Sequence, residues 1–380
     1  MRTPRAADPP NLLRLTPAKG VRVRKRRPAI TATAIAAVSA LLLGACGSTS
    51  TEPDSKPSGG ADDKSVVLLT HDSFTLPKEV LAEFKEKTGY TAEIRHAGDG
   101  GELTTKIAMD TGNPDGDAVF GLDNTFASRA IDQGALESYT PAKVPEGVSE
   151  FDLPGDDDHF LTPVDNGSVC VNVDTEWFAA KKLAPPRSLD DLAKPAYKDL
   201  LVTPGAATST PGMAFLLATI AEYGEDDWES YWGKLIDNGA KVVDGWDQAY
   251  YSDFTQGGGK GKRPIVVSYD SSPAFTLEDG KSTTAALLDT CFRQVEYAGV
   301  LKGADHPEGA QALIDFLLTD SVQEALPESM YVFPVSSSAQ LPADWAKHAK
   351  QPTSPLSVDP EEIEENREAW LATWSDTIAQ

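Results

Sequence analysis

The sequence predicts a two-lobed α/β fold with a ligand cleft between the lobes, and three observations lead there. Short apolar runs of strand length alternate with capped, helically spaced segments. From residue 65 onward the chain is long enough for two domains of ordinary size. Polar residues collect in the loops where successive strands end, which is where open parallel sheets hold their ligands.

Residues 1–45 read as a secretory leader of the lipoprotein type. Arg2, Arg5, Arg14, Lys19, Arg22, Arg24, Lys25, Arg26 and Arg27 precede an uncharged, largely apolar run over 29–43, and small residues then lead to Cys46 in Leu43-Gly44-Ala45-Cys46. A run of about 15 residues falls short of the roughly 20 needed to span a bilayer. Cleavage would leave Cys46 as the first residue, able to carry lipid, and multiple acyl chains hold a protein at a membrane where one does not. Residues 46–64, rich in Ser, Gly, Pro and Asp, have little to bury and read as a flexible tether.

The first lobe begins at residue 65 and is expected to run to 168. Ser65–Thr70 is an apolar strand. Pro77 opens a helix with Val80, Leu81 and Phe84 at helical spacing, and Gly89 stops it. Thr91–His96 is a second strand, 102–111 a helix ending at Gly112, and 117–121 a third strand. The loops after these strands carry His71 and Asp72, then Asp99 among Gly98, Gly100 and Gly101, then Asp123 and Asn124. Asp and Gly are also ordinary turn residues, but three such loops in succession favour a cleft.

The second lobe is expected over 169–288. Residues 199–203 form a strand, and Thr208-Ser209-Thr210-Pro211-Gly212 opens a helix carrying Met213, Leu216, Leu217 and Ile220. The free amides at such a helix start suit an anion such as a phosphate ester. Trp228, Tyr231, Trp232, Leu235 and Ile236 sit at helical spacing and read as core, whereas Trp246, between Gly245 and Asp247 after the strand Lys241–Val243, reads as a loop residue aimed at the cleft. Residues 264–269 form a strand ending in Tyr269-Asp270-Ser271-Ser272-Pro273-Ala274-Phe275. Over 289–380 the chain returns to the first lobe through a strand at 294–300 and a helix from Pro307. A last helix capped by Asp359 follows, with Ile363, Trp370 and Trp374 on the side that packs across the body.

Charge narrows the partners. The leader holds nine of the 34 basic and one of the 58 acidic residues, so the remainder has 25 basic against 57 acidic residues, a net charge of −32. Such a surface repels nucleic acid and anionic headgroups and attracts cations. Of the three cysteines, Cys170 and Cys291 remain once Cys46 is assigned. In an oxidising exterior they form a disulfide or stay as two buried thiols, and neither has a Cys or His at metal-ligand spacing.

From about residue 66 to the C-terminus the chain resembles the thiamine-binding proteins of ABC importers. The phrases that carry the likeness are Asp72-Ser73-Phe74, Asp99-Gly100, Gly121-Leu122-Asp123-Asn124, Thr208-Ser209-Thr210-Pro211-Gly212, Gly245-Trp246, Ala249-Tyr250, Ser268-Tyr269, Ser272-Pro273 and Pro334-Val335. The resemblance implies a type II periplasmic-binding-protein fold that closes on thiamine or its phosphates and delivers them to a permease with an ATPase subunit, without catalysis and with no cofactor or metal. It places Asp99, Gly100, Ser209, Thr210, Trp246, Tyr269, Asp270, Ser271, Ser272 and Pro273 against the ligand. His71 stands where the family has Tyr, Phe275 for a Tyr, Tyr331 for a Trp, and Asp270 for a neutral hydroxyl residue. A monomer is expected.

That chemistry suits the residues. A thiazolium gains about 0.5–2 kcal/mol over each of the rings of Trp246 and Tyr331, and an aminopyrimidine can stack on rings and bond to Asp99. Asp270 works against a phosphate tail, so free thiamine is the expected preference. Two other classes are weaker. A ferric-ion binder would use Tyr250 and Tyr251 with His71 and a carboxylate, but adjacent tyrosines at a helix start point to different faces. An exported hydrolase lacks both the G-x-S-x-G elbow and the H-E-x-x-H motif.

Overall fold

Among the described residues, twelve strands are set out by the chain's own punctuation. A computed structural model describes residues 64–379. The leader, Cys46 and the tether up to residue 63 lie outside the described residues. The strands are β1 (Ser65–Thr70), β2 (Thr91–His96), β3 (Ala118–Asp123), β4 (Leu136–Glu137), β5 (Thr162–Asp174), β6 (Leu201–Pro204), β7 (Lys241–Val243), β8 (Ile265–Tyr269), β9 (Leu277–Glu278), β10 (Lys281–Ser282), β11 (Thr284–Leu301) and β12 (Phe333–Pro334). β1, β2 and β7 have the expected bounds. The helix Lys78–Thr88 begins after Pro77 and stops at Gly89, whose φ of 78° lets its N–H reach back to the Lys85 carbonyl.

One sheet carries the architecture, in the order β2-β1-β3-β11-β5-β8-β6-β7, with β4 on β11 and β12 on β5. Both flanks are parallel, β1 with β2 and β3, and β6 with β7 and β8. The centre is antiparallel: β11 runs against β3 and β5, and β5 against β8. Alternation along the strands divides the cores between the two faces. Val66 and Leu68 pack with Phe84, Leu313 and Ile314 on one side, while Val67 and Leu69 meet Leu103 and Ile107 on the other. In the second half Ile265 and Val267 pack under the helices Thr210–Tyr223 and Trp228–Asp237, whereas Val202 and Val266 face Trp246 and Tyr250.

The expected lobe limits at 168/169 and 288/289 both fall inside long strands, β5 and β11. Those two strands run from one half of the sheet to the other, and the described residues belong to one contiguous unit. Cys170 on β5 is bonded to Cys291 on β11, 121 residues apart, which ties the crossing strands together. The last helix, Pro360–Ile378, is capped by Asp359, which accepts from the Glu361 N–H. Its Ile363, Trp370 and Trp374 enter the second-half core. Buried Arg367 reaches back to the first half, donating to the Thr125 carbonyl at 3.3 Å and to Ser128 Oγ at 2.8 Å.

Candidate functional site

The parallel strands aim their carboxyl ends at one another across the sheet centre, and a cavity opens where their loops meet. It is lined from the first half by His71, Ser73, Asp99 and Gly100, from the second by Thr210, Pro211, Trp246 and Tyr269, and from the central strand and returning chain by Glu296, Met330 and Val332. Its free volume is narrow, about 30 Å³. Sites for ligands of drug size take roughly 300 Å³ or more, so the walls must part for such a ligand to enter.

Two helix starts face each other across this gap. Asp99 caps the helix Gly100–Met109, accepting from the Gly100 N–H at 2.7 Å, while the Asp99 N–H bonds back to Glu102 at 3.3 Å in a capping box. The same carboxylate accepts the Trp246 N–H from the opposite wall at 2.9 Å, and Ser209, at the start of Thr210–Tyr223, lies beside it. Thr210 donates to Asp123 at 2.5 Å and Ser73 to Asp247 at 2.8 Å. The N–H groups of Gly101 and Glu102 both reach the Thr208 carbonyl, at 3.1 and 3.2 Å. Asp123 thus takes up the Thr210 hydroxyl at the helix start expected to take a phosphate.

Aromatic rings build the other wall. Trp246 is buried, stacks on Tyr250 with ring centres 5.0 Å apart, and meets Tyr251, Tyr269 and Tyr331 edge-on at 5.4, 6.0 and 6.3 Å. Its indole N–H donates to Ser268 at 3.0 Å, and Ser268 shares a 2.8 Å hydroxyl bond with Ser272. The indole edge is thereby fixed, and the Tyr250 ring covers one of its faces.

Of the residues expected at the site, His71, Asp99, Gly100, Thr210, Trp246 and Tyr269 line the cavity. Ser209 lies just behind them, buried beside Asp99. Ser272 and Pro273 are buried support, Ser271 donates to the Tyr331 carbonyl, and Phe275 packs against the Tyr331 ring at 3.5 Å. Asp270 does not line the cavity. Its carboxyl is buried near Ser168, and burial pushes it up to about 7. The repulsion of phosphate expected from Asp270 therefore falls to Asp99, Asp123 and Glu296.

Sequence reasoning overlooked the floor. Glu296 on β11 lies opposite Asp123 on β3 and Asp165 on β5, so three carboxylates stand side by side on adjacent strands. All three are buried. Burial raises Asp123 to about 6, and burial reinforced by Glu296 holds Asp165 well above the usual carboxylate range. Burial alone would lower His71, but its Nε2 is 3.3 Å from Glu296 Oε1, and Glu296, Asp99 and Asp247 together hold the imidazole above its ordinary value. The available signal was polar Gln294 and Glu296 alternating with Val295 and Tyr297 in a strand otherwise read as core.

Tyr250 and Tyr251 are poorly placed to bind ferric ion. Their rings stand 5.5 Å apart at 88°, Tyr250 is committed to stacking on Trp246, and burial pushes both phenols up, away from the tyrosinate a ferric ion needs. Among the described residues no group of three or more His, Cys, Asp or Glu is arranged to hold a metal ion.

Comparison with known proteins gives consistent matches. A family model described as bacterial extracellular solute-binding protein matches residues 117–366. A thiamine-binding periplasmic protein of Escherichia coli strain K12 is 29% identical over 83% of this chain and 94% of its own length. A solved periplasmic thiamin binding protein superposes with a TM-score of 0.73 at 28% identity, covering 85% of this chain and 99% of that one. A ferric binding protein from Campylobacter jejuni shares the fold, with a TM-score of 0.63 at 16% identity over 82% of this chain and 99% of its own. These matches are to solute-binding proteins rather than enzymes.

Proposed function

The chain belongs to the bacterial extracellular solute-binding protein family, and from that premise we propose that it is an extracytoplasmic receptor that captures thiamine and hands it to an ABC permease with its ATPase subunit. The observation that carries this reading is the pairing of walls: indole and phenol rings of Trp246 and Tyr269 face the carboxylates of Asp99 and Glu296 across one cavity. Rings attract a cationic heteroaromatic and stack on it, and carboxylates neutralise its charge and accept from an amino group. No covalent step is needed. The ligand touches both walls only when they are together, so binding shifts the protein towards the closed form that a permease would read.

Free thiamine is the preferred ligand in this account. A phosphate tail would have to displace Asp99 and Asp123 from the amides and hydroxyls of the facing helix starts, and would then lie beside three or more carboxylates. Calorimetric titration with thiamine and thiamine monophosphate tests this. Thiamine should bind at least about tenfold more tightly, a difference of about 1.4 kcal/mol, and tighter binding of the monophosphate contradicts it.

Anchoring through lipid on Cys46 belongs to the same proposal, supported by the basic leader, the apolar run and the Leu43-Gly44-Ala45-Cys46 sequence. The expected outcome of Cys46→Ser is movement of the protein from the membrane to the soluble fraction, and continued membrane retention speaks against the anchor.

A further inference from the structure

The floor of the cavity carries a charge arrangement that closure and stacking do not require. Glu296 lines the cavity and is flanked by Asp123 and Asp165 on the neighbouring strands. Asp165 is fully buried and its carboxylate oxygens find no donor, so it is satisfied only by holding a proton and offering it to Glu296. Asp99 and Asp247 add negative charge from the two facing loops, and the Tyr269 phenol closes the same corner from β8, kept protonated by burial and by Glu296. Against these stands the His71 imidazole, 3.3 Å from Glu296. Among the described residues no lysine or arginine lines the cavity.

We propose that Glu296 is the counter-ion by which the cavity selects a cationic ligand, and that His71 serves as its internal cation until the ligand arrives and then gives up its proton. The inference rests on the thiamine reading and extends it to a proton exchange. With the cavity empty of ligand, imidazolium neutralises Glu296. A thiazolium brought alongside adds a second positive charge within reach of the same carboxylate, and like charges in a buried space favour the neutral imidazole. The proton passes from His71 to solvent as the walls close, with no bond made or broken in the ligand. Linkage makes the effect reciprocal: thiamine lowers the proton affinity of His71, and protonation of His71 weakens thiamine binding.

The sign follows directly. His71 in the ligand-free protein titrates above its ordinary value, so affinity rises with pH through and above about 6.5 and levels off once His71 is neutral without ligand. The slope approaches about tenfold in Kd per pH unit if one full proton is released.

Calorimetry of the purified protein with thiamine at pH 7, in buffers of low and high ionisation enthalpy, reads the released proton directly. The expected result is a buffer-dependent heat equivalent to as much as one proton per thiamine. His71→Gln should abolish that release, and Glu296→Gln should abolish it while weakening thiamine binding by about tenfold or more. Thiamine binding with equal heats in all buffers overturns the proton exchange and leaves the ligand assignment standing. Release undiminished in His71→Gln overturns the role of His71. No thiamine binding in any buffer overturns the ligand assignment, and the exchange with it.

Discussion

Replacing Gly101 with alanine should hold the two walls apart without harming the fold. Gly101 is in the first turn of the helix Gly100–Met109, a position where alanine is favoured over glycine by helix propensity, by up to about 1 kcal/mol in a helix interior. A Cβ there would lie 2.8 Å from the Ala207 carbonyl oxygen, 2.8 Å from the Thr208 carbonyl carbon and 2.9 Å from the Thr208 oxygen, all backbone atoms of the opposite wall. Carbon contacts settle near roughly 3.5 Å, so closure would stop about 0.7 Å short. The bonds from the N–H groups of Gly101 and Glu102 to Thr208, at 3.1 and 3.2 Å, would stretch as well. Overpacking of this kind costs about 1–3 kcal/mol. Because the cost falls on the closed form alone, Kd for thiamine should rise about 5- to 150-fold. Titration calorimetry reads the affinity, and a thermal melt without ligand reads the fold, which should be as stable as the parent or slightly more so. Affinity within twofold of the parent in a fully folded variant would refute the claim that these walls meet in the bound form.

Two further outcomes concern stability. Replacing both Cys170 and Cys291 with alanine opens a loop of 121 residues, for which chain entropy gives a loss of about 5 kcal/mol; a urea midpoint change equivalent to under about 1 kcal/mol contradicts that estimate. Asp123 and Asp270 have folded values raised to about 6 and about 7, so their protonated forms favour the fold. Their contribution is full below the unfolded carboxylate range and is lost as pH rises through 6 and 7. The thermal midpoint should therefore fall between pH 5 and pH 8, less steeply in Asp270→Asn, and a midpoint that rises over that range would count against the account.

Legibility followed punctuation. Pro77 and Gly89 frame one helix, and the strands Ser65–Thr70, Thr91–His96 and Lys241–Val243 end where turn residues begin. The helix expected at 102–111 starts two residues earlier because Asp99 and Glu102 form a capping box that overrides the weak helix preference of Gly100 and Gly101. The central strands were harder. β5 carries Pro163, Asp165, Asn166, Gly167 and Asn172 yet is buried along its whole length. Its polar groups are answered by tertiary partners, as when Asn166 donates to the carbonyls of Phe333 and Pro334, and no local pattern announces that. β11 was expected only over 294–300, although it runs from Thr284. Loop residues of the site were readable because strand ends converge by topology. Glu296 was not, because its place on the floor follows from cross-strand register with Asp123 and Asp165.

Aromatic and acidic walls meet at Trp246, and thiamine is the ligand they are expected to bind. Titration of the ligand-stripped protein with thiamine, beside Trp246→Ala, tests it most directly. The expected result is a Kd below about 1 μM for the parent and a loss of at least about tenfold in the variant, since the indole supplies both a stacking face and a cation–π contact. Absence of thiamine binding in the parent, or equal affinity in a folded Trp246→Ala protein, would contradict it.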